Sequence, residues 1–128
     1  MNLLLDTHLL LWAAGNPEKL SKKARQLLLD ADHRLYFSSA SLWEIAIKSA
    51  LGRKDFRVDI RRLWRMLVAN GYHELKVAGE HAIAVESLPL LHKDPFDRML
   101  VAQANIDGLT LLTADKQVAA YRGSVKLV

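Results

Sequence analysis

Asp6, Glu44, Asp97 and Asp115 each fall at or just inside the expected start of a helix, and three of these four acids follow closely on a short apolar strand. In an α/β fold with a parallel sheet, strand-to-helix junctions open on one edge, at the carboxyl ends of the strands. Acids spaced 38, 53 and 18 residues apart in sequence can therefore converge on one small volume. Several carboxylates share a pocket only with positive charge among them, because like charges at close range raise each other's pKa. A hard divalent cation with oxygen ligands meets that need, and Mg²⁺ suits a few carboxylates, waters and a substrate phosphate. The chemistry is that of a metal-dependent phosphodiesterase.

Those positions depend on the elements around them. Leu3-Leu4-Leu5 has the character of a buried parallel strand. Leu9 to Trp12 suggests a short helix closed by Gly15 and a turn at Asn16-Pro17, and Ser21 caps a second helix. Leu35-Tyr36-Phe37 makes a second strand, followed by a helix over about 41–51 that ends at Gly52. From Asp59 to Asn70 an apolar stripe of Ile60, Leu63, Trp64, Leu67 and Val68 opposes Arg61, Arg62 and Arg65. A weak strand over 72–77, a helix over 80–88 and a loop over 89–94 lead to a long helix from Pro95 to Asp107. Thr110 to Thr113 is a strand, a short helix starts at Asp115, and Val125 to Val128 is a last strand. Strands alternating with helices predict one α/β domain over residues 1–128, in three layers with helices on both faces of a mostly parallel sheet.

Each acid also has a structural explanation. Asp6 and Asp115 are suited to cap helices. Ser41-Leu42-Trp43-Glu44 matches a capping box, with Glu44 bonding back to the cap. Asp94-Pro95-Phe96-Asp97 is a strong helix start in which Asp94 caps, leaving Asp97, one turn in, free to point elsewhere. Spacing leaves the two readings open.

Net charge is +4 with a sequence pI near 9.5, which favours a polyanionic partner. Lys48, Arg53, Lys54, Arg57, Arg61, Arg62 and Arg65 fall within 18 residues, a run that reads first as a solvated helix face. No apolar run is long enough to span a bilayer, and the start of the chain lacks the basic region of a signal peptide. Cysteine is absent, which excludes disulfides and thiolate metal sites and fits a cytoplasmic protein. The histidines His8, His33, His73, His81 and His92 lack metal-ligand spacing and read as surface or core residues.

Four blocks carry a family resemblance: Leu3 to His8, Ser39 to Lys48, Asp94 to Ala104 and Leu111 to Asp115. In that order, and over essentially the whole length, the chain resembles a PIN-domain ribonuclease, and within that family the VapC-type toxins of bacterial toxin–antitoxin pairs. The resemblance implies a PIN-like, Rossmann-type fold and carries the family's acids onto Asp6, Glu44, Asp97 and Asp115, with Thr113 and Thr7 in support. It also implies one or two Mg²⁺ or Mn²⁺ ions that activate water for hydrolysis of RNA, leaving a 5′-phosphate and a 3′-hydroxyl. Asp6 and Asp97 are the expected direct ligands, whereas Glu44 and Asp115 would act through water or a second ion. Implied partners are an RNA substrate, a small cognate antitoxin whose carboxy-terminal segment wraps the toxin, and a second copy in a homodimer. Leu9, Leu10, Leu11 and Trp12, with the helix over 41–51, could line a groove for that antitoxin, or could simply be core.

Other classes fit less well. A haloacid-dehalogenase-like phosphatase needs a second acid two residues after the first, and His8 stands there. A receiver domain would need paired acids at its first strand, and phosphate-binding glycine motifs are absent. The non-enzymatic alternative is a basic RNA- or partner-binding module whose acids serve only as helix caps.

Overall fold

In a computed structural model that describes all 128 residues, five strands form one sheet: β1 (Asn2–Leu5), β2 (Arg34–Ser38), β3 (His73–Leu75), β4 (Thr110–Thr113) and β5 (Val125–Leu127). Their order is β3-β2-β1-β4-β5 and every neighbouring pair is parallel. The connections run outward in one direction from β1 and in the other from β4. The boundary between β1 and β4 is therefore the switch point, where a crevice opens beyond the carboxyl ends of the strands. Asp6 extends the β1–β4 ladder by donating its amide to the Leu112 carbonyl at 3.1 Å, so the chain leaves the sheet directly at that crevice.

The alternation of strand side chains splits the core in two. Leu3, Leu5, Phe37 and Leu112 pack on one face against α1 (Thr7–Gly15), α2 (Lys22–Leu29), α3 (Ser39–Ala50) and α4 (Ile60–Ala69). Leu4 and Leu111 pack on the other against α6 (Pro95–Asp107) and α7 (Lys116–Ala119), while α5 (Gly79–Glu86) lies against α6. The three-layer expectation holds. Leu9, Leu10 and Leu11 belong to the first core and Trp12 packs against it, so these residues are core rather than an open antitoxin groove. Short 3₁₀ turns at Pro17–Lys19 and Lys54–Phe56 were not expected, and the strand expected over 72–77 shortens to His73–Leu75. No helix is long and apolar enough to cross a membrane.

The helices begin and end where local chemistry directs. Ser21 caps α2 by accepting from Ala24 N–H, and Asp59 caps α4 by accepting from Arg62 N–H. Gly108 adopts φ +68° just past α6, a left-handed conformation open to glycine without a Cβ penalty. Ser38 does two jobs at full burial. Its Oγ accepts from the Ala40 amide, capping α3, and donates to Gln103 Oε1 at 2.6 Å, tying the end of β2 to α6. Ser38→Ala should cost about 1–3 kcal/mol, because it strands a buried amide oxygen as well as removing a cap. Ser21→Ala, which removes a cap alone at a more exposed position, should cost about 1 kcal/mol. Denaturant midpoints of the two variants, at unchanged m-value, check the order.

Candidate active site

Asp6 leaves β1 as the N-cap of α1. Its Oδ1 accepts from Leu9 N–H at 2.9 Å and its Oδ2 accepts from the Thr113 hydroxyl at 2.5 Å. Thr113, fully buried at the end of β4, also accepts from the Asp115 amide at 3.0 Å, so one hydroxyl couples the first acid to the loop carrying the last. Asp115 is itself a cap, with Oδ1 accepting from Gln117 N–H. A cap engages one oxygen of each carboxylate; the second accepts from Thr113 in Asp6 and takes no protein hydrogen bond in Asp115.

Glu44 corrects the capping-box expectation. Helix α3 begins at Ser39 with Ser38 as its cap, so Glu44 lies in the second turn and bonds to no end of the helix. It is buried at 3% exposure and held by side chains. Its Oε1 accepts from the Thr7 hydroxyl at 2.6 Å, and Thr7 in turn lies 3.0 Å from Ser41 Oγ. Its Oε2 pairs with Lys48 Nζ at 2.5 Å, one helical turn on.

Asp97 lies on the first turn of α6, whose cap is Asp94, accepting from both Phe96 and Asp97 amides. One carboxylate oxygen meets His92 Nε2 at 2.8 Å. Burial, then repulsion from Asp94, Asp6 and Glu44, outweighs that hydrogen bond and pushes the Asp97 carboxyl up to about 6. Burial likewise raises Asp6, against the hydrogen bonds from Thr113 and Leu9. Repulsion reaching Asp97 from Asp94, Asp6 and Glu44 means that these carboxylates share one electrostatic neighbourhood. Ligand atoms of His92, Asp97 and Asp115 lie within 4.8 Å of one another, a group that does not include Asp6 or Glu44.

Two members escaped sequence reasoning. His92 was expected to be an ordinary surface or core residue, yet it faces Asp97. It lies in an irregular loop whose path is set by Arg98, which donates to the Pro89, Val85 and Leu88 carbonyls and to the Tyr121 hydroxyl. No local pattern reveals such a loop. His81 accepts from Ala78 N–H through Nδ1 and meets Asp107 through Nε2 in the core, and its ligand atom lies within 4.8 Å of those of Glu80 and Asp107. The basic run places Lys48 on a solvated face. It is instead the cation of the site, bonded to Glu44, 4.0 Å from Asp94, and 4.9 and 5.7 Å from the Phe56 and Phe96 ring centres. Its spacing of four from Glu44 was the available signal.

A family model described as the PIN domain matches residues 3–123. Among curated proteins, Ribonuclease VapC22 of Mycobacterium tuberculosis is 28% identical over 120 residues, covering 93% of this chain and 91% of that protein. Among solved structures, VapBC2 from Rickettsia felis bound to a promoter DNA fragment aligns with a TM-score of 0.73 at 15% identity, over 99% of this chain and 98% of that one. A toxin–antitoxin complex from Klebsiella pneumoniae aligns with a TM-score of 0.65 at 17% identity, over 97% of this chain and 95% of that one. At these identities the structural matches speak for the fold.

The raised Asp97 carboxyl has a consequence for metal-free protein. Because folding raises its pKa from 3.8 to about 6, the folded state binds this proton more tightly than the unfolded state does. The resulting stabilisation is complete below pH ~4 and is lost as pH rises through ~6. Asp97→Asn removes that dependence. In chelator, the variant should gain on the wild type between pH 4 and 7, by as much as about 3 kcal/mol at neutral pH. Urea midpoints across that range measure the gain, and a difference that stays flat with pH would contradict the electrostatic account.

Proposed function

The chain belongs to the PIN-domain family, and from that premise we propose that it is a metal-dependent endoribonuclease acting as the toxin of a toxin–antitoxin pair. The observation that carries the proposal is Asp97, raised by burial and by repulsion from acids that include Asp6 and Glu44, with Asp115 and His92 within ligand distance of it. Such a cluster is costly without a cation. The similarity to a protein named a ribonuclease supports RNA as the substrate.

The donors suit Mg²⁺ or Mn²⁺: carboxylate oxygens with one imidazole beside them. Asp97 Oδ1 and Asp115 Oδ2 accept no hydrogen bond from the protein and are open to a cation. Asp6 and Asp97 would hold the ion directly, with Asp115 and Glu44 acting through water or at a second ion. When bound, the ion would lower the pKa of a water and offset charge on the scissile phosphate. The chain's own contribution is orientation. Thr113 and the Leu9 amide fix the Asp6 carboxylate, Thr7 and Lys48 fix Glu44, and His92 fixes Asp97, each limiting the rotamers of an acid in the cluster. No side-chain nucleophile is needed.

The rival reading, a basic binding module, draws on the fact that Asp6 and Asp115 do cap helices. Cleavage of single-stranded RNA in Mg²⁺ or Mn²⁺ separates the two. Activity should vanish in excess EDTA, and Mn²⁺ should raise the melting temperature by mass action. Asp6→Asn or Asp97→Asn should abolish cleavage in folded protein. Asp94→Asn should leave most of it, since Asn caps nearly as well as Asp. Undiminished cleavage in chelator would overturn the mechanism, and folded protein that neither cleaves nor is stabilised by Mn²⁺ would favour the rival.

The structural neighbours include toxin–antitoxin complexes, which supports an antitoxin as a partner here, while a second copy in a homodimer rests on the family resemblance alone. Inhibition would follow if a basic antitoxin side chain entered the acidic pocket in place of the metal. Co-expression with the product of the gene immediately upstream should yield a complex with suppressed cleavage and weakened Mn²⁺ binding. A stable complex with full activity and unchanged Mn²⁺ affinity would exclude this mode of inhibition.

A further inference from the structure

Two acids of the site each have one oxygen engaged by a protein donor and one that is not. Glu44 Oε1 accepts from the Thr7 hydroxyl, and Asp94 Oδ1 accepts from the Phe96 and Asp97 amides. Their remaining oxygens face a single group. Lys48 Nζ stands 2.5 Å from Glu44 Oε2 and 4.0 Å from Asp94 Oδ2. One ammonium thus spans carboxylates from different helices, Glu44 within α3 and Asp94 at the cap of α6. Bridging the acids of a cluster is otherwise the task of a second metal ion.

The surroundings of that position suit an ammonium and not a hydrated metal ion. Lys48 Nζ lies 4.9 Å from the centre of the Phe56 ring and 5.7 Å from that of Phe96. Phe56 is fully buried, so the nearer ring is a fixed wall. Aromatic rings attract an ammonium. They offer no oxygen to Mg²⁺, which demands a near-octahedral shell and gives up its waters reluctantly. Nor is Lys48 free to withdraw, because Glu44 is buried and would be left as an unpaired charge. The other end of the cluster differs. Asp97 Oδ1 and Asp115 Oδ2 accept no protein hydrogen bond, and the nearest partner there is the His92 imidazole.

We propose that the Lys48 ammonium fills the second cation position of the cluster, so that the chain takes a single divalent ion, at the Asp97–Asp115 end. The inference rests on the metal-dependent nuclease reading above and narrows it: Glu44 is the partner of Lys48 and no ligand of a second ion. Lys48 is a positioning residue, which holds Glu44 on α3 against the cap of α6.

Electron paramagnetic resonance of the full chain titrated with Mn²⁺ tests this. Two Mn²⁺ ions in one cluster, about 3.5–4 Å apart, are magnetically coupled, whereas a lone ion is not. Wild type should show one uncoupled ion per chain at saturation. Lys48→Met, which removes the charge and keeps a long side chain, should bind a second ion and give the coupled spectrum. Lys48→Arg, which keeps the charge, should give the uncoupled one. An ion pair that served only to stabilise α3 would leave the ion count unchanged when broken. A coupled pair in wild type or in Lys48→Arg overturns the proposal while leaving the metal-dependent nuclease intact. So does folded Lys48→Met that still holds a single uncoupled ion. If Lys48→Met does not fold, the wild-type and Lys48→Arg spectra decide. Wild type that binds no Mn²⁺ defeats the nuclease reading and this inference with it.

Discussion

Burial of several carboxylates, with their mutual repulsion added to it, is the constraint around which the site is organised. Asp6 and Glu44 are almost wholly removed from solvent, and Asp97 sits close enough to both to be raised by them. An ionised carboxylate in such a place needs donors or cations within bonding distance. The protein provides a mixed set: backbone amides at helix starts, two threonine hydroxyls, a histidine and a lysine. Removing any one of them leaves the cluster with less compensation, so the threonines and Lys48 are as much a part of the site as the acids.

Helix N-termini make this arrangement possible. A parallel sheet sends each strand into a following helix whose first amides point back towards the crevice, and those amides favour negative charge. Asp6, Asp94 and Asp115 use them directly as caps. Capping and ligation thus become complementary uses of one side chain. The amide fixes one carboxylate oxygen; the other accepts from Thr113 in Asp6 and takes no protein hydrogen bond in Asp115.

Rigidity comes from contacts outside the cluster. The Ser38–Gln103 hydrogen bond fastens α6 to the end of β2, and Arg98 gathers the carbonyls of the loop before α6. These are the bonds that hold His92 and Asp97 in register with acids arriving from β1 and α3. A polar site on rigid supports loses little on reorganisation when charge develops during a reaction. The exposed Trp43 is treated in the same way: Phe96 fixes it, and its outward face stays open.

Much of this was determined by the sequence alone. Leu3 to Leu5, the Asp94-Pro95 helix start, Gly108 after α6 and the alternation of strands with helices establish the element order and the layered α/β class, because capping chemistry and hydrophobic period are local properties. The candidate acids were legible too, since each stands at a recognisable junction. What local pattern could not decide was the role of residues whose partners are distant. Glu44 looked like a capping-box residue until the cap moved to Ser38, and its true contacts are Thr7, 37 positions away, and Lys48. Leu9 to Leu11 could have lined a groove or filled a core, and only the packing of α1 on the sheet decided for the core. His92 and Lys48 were assigned to loop and solvent because a side chain's environment is set by the elements that fold over it. Tertiary structure alone decided that His92 and Asp115 stand beside Asp97 and that Asp6 and Glu44 lie close enough to raise its carboxyl, since strand order is a long-range property that no run of neighbouring residues encodes.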